Sequence, residues 1–373
     1  MEPLQKISFI LLSQESAATK QIMHQLVNSR FKKQDQLAIS IIPFLSSVCD
    51  GWLTLFNSFN IDIDLPNIED VPFPKLVKST RVSYKLYSDK KHNKINNMLQ
   101  NEGLERLALL KKDYNFLQRK FIKLFGQKDL GVFTVDGFPY GNTSQLSIYL
   151  KKIVELKPTT SLSDREKNAS LFLTKYSEHL ALFINSVVTQ HFSDSIDEKK
   201  CLSLDSNRLK HSDYFFYDDK RKNLLDGSLP VDTQLFLFNI LCQNNFTNIV
   251  MLNVFQGSGS LFFRFKLQSY LISINCLSSI LKKYPYSINQ SQMYTIQQLV
   301  EEKERYFTFQ NKLRNNIFHY DIREIPCSVF KDTNHYFEEM IEYSVGIDFD
   351  YFITRIEKSC LTINHLLNDL IKM

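Results

Sequence analysis

A mainly α-helical protein is predicted by three features of this 373-residue chain. Helix breakers are scarce, with 10 Gly and 10 Pro, which leaves long stretches free to take helix. Apolar residues make up 43% of the chain, Phe prominent among them at 30 copies, enough to bury sizeable cores. In several long stretches they recur at three- and four-residue steps, the period of a helix with one buried face. The length accommodates two or three domains.

Ser13 to Phe59 reads as two helices broken around Arg30-Phe31-Lys32-Lys33. Asp62 to Pro74 is a connector whose prolines disfavour helix. From about Asn93 to Phe125 one long amphipathic helix is expected, with Leu104, Leu107, Leu110, Tyr114, Leu117 and Phe121 on its stripe. Gly131 to Asn142 contains Asp136-Gly137 and Gly141-Asn142, the signature of a loop or short hairpin. Ser144 to Leu156 and Ser163 to Phe192 are again helical, with Ser163 and Asp164 offering a cap. Residues 193–230 are polar, charged and irregular. They separate a mostly helical N-terminal region (1–200), expected to regulate or to bind RNA or a partner, from a C-terminal unit (231–373).

That unit has the clearer pattern. Val231 to Cys242 forms a first helix, followed by a turn at Gln243-Asn244-Asn245. Gly257-Ser258-Gly259 lacks the Lys of a phosphate loop and reads as a helix-start turn. The helix after it, Ser260 to Lys283, carries Phe263, Leu267, Tyr270, Ile274, Leu277 and Leu281 on one stripe. Another begins near Ser291, carries Tyr306, Phe309, Leu313 and Ile317, and runs directly into Arg314 and His319. A last helix spans Asp348 to Lys372. Long helices joined this closely predict an antiparallel bundle.

Charge is uneven. Residues 235–373 hold 13 Lys/Arg against 13 Asp/Glu, whereas residues 75–128 hold 14 basic residues against four acidic ones. Lys111, Lys112, Arg119, Lys120 and Lys123 in that basic stretch are candidates for RNA-backbone contacts; the plain alternative is a solvated helix face. The six cysteines are widely spaced with no CxxC pair, which fits reduced thiols better than disulfides or zinc. No histidine pair has metal-ligand spacing, so neither metal nor cofactor is expected. The apolar run Ile7 to Leu12 is too short for a signal-peptide core, and no apolar stretch reaches membrane-spanning length. A cytoplasmic protein without a membrane partner is expected.

One segment concentrates chemistry: Arg314-Asn315-Asn316-Ile317-Phe318-His319. RNA is cut without metal when its own 2′-hydroxyl attacks the adjacent phosphorus. His suits the proton transfer at neutral pH. Arg presents a fixed cationic fork to phosphate oxygens. An Asn carboxamide orients either group. In an undistorted helix five positions rotate by about 140°, so Arg314 and His319 converge only at a helix end or across a two-fold axis. The bland alternative is a helix C-terminus with stabilising cations at Lys312, Arg314 and His319.

This segment, late in a helical bundle, resembles the Arg, four-to-six residues, His motif of the HEPN superfamily (higher eukaryotes and prokaryotes nucleotide-binding), and Asn315 matches its frequent polar residue after the Arg. The resemblance covers about residues 231–373. It implies a metal-independent endoribonuclease acting as a homodimer, with Arg314, His319 and Asn315 catalytic and 2′,3′-cyclic phosphate and 5′-hydroxyl products. It also implies a toxin or abortive-infection role in antiviral defence, with a neutralising or activating protein partner. One toxin subgroup has Tyr two positions after its His; here Asp321 stands there, so that subgroup is not assigned. The rival readings are a non-catalytic helical interaction subunit and an RNA-binding protein that does not cleave.

Overall fold

The computed structural model describes residues 2–28, 34–86, 97, 101, 112–146, 148–149, 162–191, 206–218, 220–221, 224–307, 311–320 and 322–373. The fold is mainly α, with two small sheets among the described residues.

Helices α1 (Pro3–Asn28) and α2 (Gln34–Ser58) open the chain. The first starts well before Ser13 because Ile7, Leu11 and Leu12 belong to its buried face and Pro3 occupies a first turn, where no backbone donor is needed. The expected break at Arg30 to Lys33 lies outside the described residues. Two short strands, β1 (Asn67–Ile68) and β2 (Val71–Pro72), pair in the proline-rich connector. Helix α3 (Phe73–Leu86) follows at once, with Pro74 in its first turn.

The single long helix expected over Asn93 to Phe125 is corrected at its C-terminal end. The chain leaves helix at Tyr114-Asn115, and α4 (Phe116–Phe125) starts afresh. Asn115 is the reason: its side chain accepts the Gln118 N–H at 2.9 Å, and Gln118 Oε1 accepts the Asn115 N–H at 3.0 Å. This reciprocal cap fixes a helix start against the apolar period. Leu104, Leu107 and Leu110 lie outside the described residues.

The expected hairpin is present as β3 (Leu130–Val135) and β4 (Phe138–Asn142). Its two-residue turn, Asp136-Gly137, has positive φ at both positions, 51° and 87°, as a tight hairpin of right-handed twist requires. The sheet has a third member. Strand β5 (Leu209–Tyr214) pairs antiparallel with β3, from Leu130↔Tyr214 to Val135↔Leu209. Residues 193–230 are therefore not irregular throughout. Between sheet strands lies α5 (Leu162–His191); the helix expected from Ser144 is helical at 144–146 and 148–149.

In the C-terminal unit the expected turn at Gln243 to Asn245 is absent. Helix α6 runs Val231–Asn245, passes through a π-helical stretch, Phe246–Met251, and ends as α7, Leu252–Phe255. The polar side chains find tertiary partners instead of turning the chain. Gln243 donates to the Tyr149 hydroxyl, Asn244 to Asn364 Oδ1 at 3.0 Å, and Asn245 to the Pro139 carbonyl at 2.9 Å. Helices α8 (Ser260–Lys283), α9 (Gln290–Phe307), α10 (Asn311–Phe318), α11 (Tyr336–Val345) and α12 (Phe349–Ile371) complete the chain. Two helices thus follow the Arg314 segment, not one, and that segment sits on its own short helix.

Leu37–Ser58 and Val231–Phe255 are, against expectation, long and apolar enough to cross a membrane. In each, 83% of the most apolar window is buried inside the fold, so their apolarity fits core helices. Buried residues of the N-terminal and C-terminal stretches also pack together. The Phe44 ring of α2 lies 4.3 Å from Phe265 of α8 and 5.7 Å from Phe246, and Asn142 Nδ2 donates to Asn239 Oδ1 at 2.7 Å.

Candidate functional site

Helix α10 is short, and its apolar residues decide how it sits. Leu313 and Ile317 are fully buried, with Asn316 and Phe318 nearly so. Arg314 and His319 are left half-buried and Asn315 exposed. The helix ends at Phe318, so His319 stands just outside it. Its N–H still bonds the Asn315 carbonyl at 2.8 Å, which keeps His319 on the helical screw. The rotation of about 140° from Arg314 therefore persists along the backbone.

The end of α10 is held from behind by a buried ion pair. Arg264 of α8 donates from Nε to both oxygens of Glu15 of α1, at 3.0 and 2.8 Å, with 1% and 0% of the two side chains exposed. Its Nη1 donates to the carbonyls of Asn316 and Ile317 at 2.8 and 3.0 Å. Gln268 Nε2 adds a bond to the Ile317 carbonyl at 2.9 Å. These donors satisfy carbonyls that a helix C-terminus leaves without intrahelical partners. The Tyr320 hydroxyl donates to Glu15 Oε2 at 2.6 Å, and the Arg264 guanidinium lies over the Tyr320 ring at 4.3 Å and the Phe337 ring at 5.0 Å. Burial first, then the Glu15 charge, push the Tyr320 phenol well above its ordinary range, so it serves as a neutral donor. The residues on both sides of His319 are thus tied to one network. Asn316 closes the loop beyond: its Oδ1 accepts the Arg323 N–H at 3.3 Å.

Sequence reasoning missed Lys303 of α9. Burial, then the charge of Arg314, hold its ammonium below the ordinary lysine range, and its Nζ donates to Asn275 Oδ1 at 2.7 Å. Lys303 therefore stands in the electrostatic neighbourhood of Arg314. Lys303 and Arg314 stand on separate helices, α9 and α10, so no helical period in the sequence pointed to the pairing. Glu302, also on α9, is half-buried and accepts from Arg355 Nε at 3.1 Å and Ser359 Oγ at 2.6 Å.

The basic candidates lie elsewhere. Lys111 is outside the described residues; Lys112 is exposed, and Arg119, Lys120 and Lys123 are exposed on α4. Arg119 Nε donates back to the Tyr114 carbonyl at 2.7 Å, and Lys120 Nζ lies 4.5 Å from the Phe116 ring centroid. Comparison with family models, with curated proteins and with solved structures returns no match.

Proposed function

We propose that this protein is a metal-independent endoribonuclease whose reacting groups are Arg314, Asn315 and His319. One observation carries the reading: an Arg, an Asn and a His are presented at the end of a short helix in which Leu313, Asn316, Ile317 and Phe318 are buried and the Asn316 and Ile317 carbonyls are held by a buried ion pair. A rigid support of that kind is what holding catalytic groups in register requires.

In the proposed reaction the 2′-oxygen of RNA forms a bond to the neighbouring phosphorus as the P–O5′ bond breaks. The 2′-hydroxyl proton passes to a general base, and the leaving 5′-oxygen receives one from a general acid. His319 does this proton work, because an imidazole titrates near neutral pH. Arg314, supported by the nearby positive charge of Lys303, stabilises the charge on the non-bridging oxygens. Asn315 orients them. Since the helical screw turns Arg314 and His319 apart, a two-fold pair of chains supplies the composite site. The resemblance to HEPN ribonucleases supports the biological part: a toxin or abortive-infection effector in the cytoplasm, held in check by a protein partner.

The test is incubation of labelled RNA with wild type, Arg314→Ala and His319→Ala in EDTA. Cleavage by wild type and loss in both variants supports the proposal. Intact RNA with wild type, or unchanged cleavage by both variants, refutes it.

A further inference from the structure

Helix α4, Phe116-Leu117-Gln118-Arg119-Lys120-Phe121-Ile122-Lys123-Leu124-Phe125, has no buried residue. Phe116, Leu117, Phe121, Leu124 and Phe125 are between 56% and 74% exposed. A surface helix ordinarily turns such a face to the core; this one does not. At 3.6 residues per turn, Leu124, Leu117, Phe121 and Phe125 fall within an arc of about 100°. Arg119, Lys123 and Lys120 fill a second arc of about 100° on the other side. The helix carries no acidic residue, exposed Lys112 and Lys128 flank it, and Asp113 is the one acid from 112 to 128.

The exposed face belongs to a well-fixed helix. Asn115 and Gln118 cap its N-terminus. At its C-terminus Arg221 Nη2 donates to the carbonyls of Lys123 and Leu124 at 3.2 and 2.6 Å, while Asp218 holds Arg221 Nη1 at 2.7 Å. The helix is formed before anything binds it, so the encounter carries no cost of folding its backbone.

We propose that α4 docks the protein peripherally on an anionic lipid bilayer. Its Phe and Leu side chains enter the boundary between headgroups and acyl chains, and its cations meet the acidic headgroups. Charge selects this occupant. A second copy would place cations beside cations with no acid on either helix to answer them. Single-stranded RNA needs free ring faces beside cations. Here Phe121 and Phe125 each turn one face to the other, with centroids 4.6 Å apart and planes tilted by 40°, Lys120 lies over the Phe116 ring, and the two most exposed apolar side chains of α4, Leu117 and Leu124, offer no ring at all. The contact spans nothing, because ten residues fall far short of the roughly 20 that crossing requires.

Sedimentation of the full chain with vesicles tests this. Vesicles of phosphatidylcholine with phosphatidylserine should carry the protein down, and phosphatidylcholine alone about tenfold less well. High salt should weaken the contact, as it screens exposed charge. Leu117→Gln/Leu124→Gln and Arg119→Gln/Lys123→Gln should each reduce binding by about tenfold or more, with unchanged thermal melting since every position is exposed. Four results would overturn the proposal. Neither vesicle sediments the protein, or both variants bind as wild type does. Light scattering shows a dimer that Leu117→Gln/Leu124→Gln dissolves, which assigns the face to a second copy. Or the vesicles fail while labelled RNA binds through Arg119 and Lys123, which assigns it to RNA.

Discussion

Arg264 and Glu15, 249 residues apart in the chain, meet at 2.8 Å out of contact with water. The pair joins α1 to α8, and through Arg264 Nη1 it also holds the last turn of α10. Two charges removed from water are tolerated only when each has its partner and its remaining bonding sites filled. Arg264→Met leaves Glu15 charged and buried. The expected loss is about 3–5 kcal/mol, read as a lower denaturation midpoint at an unchanged slope. Glu15→Leu/Arg264→Met removes both charges and should recover part of that loss.

Tyr320 gives a narrower version of the same test. Tyr320→Phe keeps the ring under Arg264 and removes the hydroxyl that bonds Glu15 at 2.6 Å. A hydrogen bond to a charged group contributes about 1.5–3 kcal/mol, so denaturation should report a loss in that range.

Gly51 sits in α2 where a Cβ would come within 2.4 Å of Tyr320 Cδ2. Alanine favours helix over glycine by about 1 kcal/mol, but overpacking costs about 1–3 kcal/mol. The Tyr320 ring is fixed by its bond to Glu15 and cannot yield easily, so steric cost wins. Gly51→Ala should lower the melting temperature, and this position should behave oppositely to an exposed helical glycine.

Much of this frame was legible in the chain. The stripe from Phe263 to Leu281 corresponds to α8, Ser260–Lys283, and Asp348 caps α12, Phe349–Ile371. Local period and local caps are enough for such elements. What was not legible depends on partners far away in sequence. Asn244 and Asn245 look like a turn until Asn364 and Pro139 bind them. Strand β5 reads Leu-Lys-His-Ser-Asp-Tyr, with Leu209 alone fully buried, so it carries no alternation to detect. The candidate site divides the same way. Arg314, Asn315 and His319 lie within six residues and are readable together; Glu15 and Arg264, which hold their helix end, are joined only by the fold.

Glu338 on α11 carries a pH signature. Burial, the largest cause, raises its carboxyl above the ordinary range, and the Glu15 charge adds to the rise. A carboxyl raised in the folded state favours folding while protonated; that contribution is lost as pH climbs from the unfolded value through the folded one. Glu338→Gln has no such loss. Its melting temperature should match wild type below about pH 4 and exceed it increasingly above that, through the range of the raised carboxyl. Parallel melting curves at all pH values would contradict the shift.

The most direct measurement of the central claim is end-group analysis of RNA exposed to the wild-type protein in EDTA. The proposed attack by the 2′-hydroxyl, with Arg314 and His319 as the reacting groups, should leave 2′,3′-cyclic phosphate and 5′-hydroxyl ends, and neither Arg314→Ala nor His319→Ala should produce them. Intact RNA, or fragments carrying 5′-phosphate and 3′-hydroxyl ends, would contradict it.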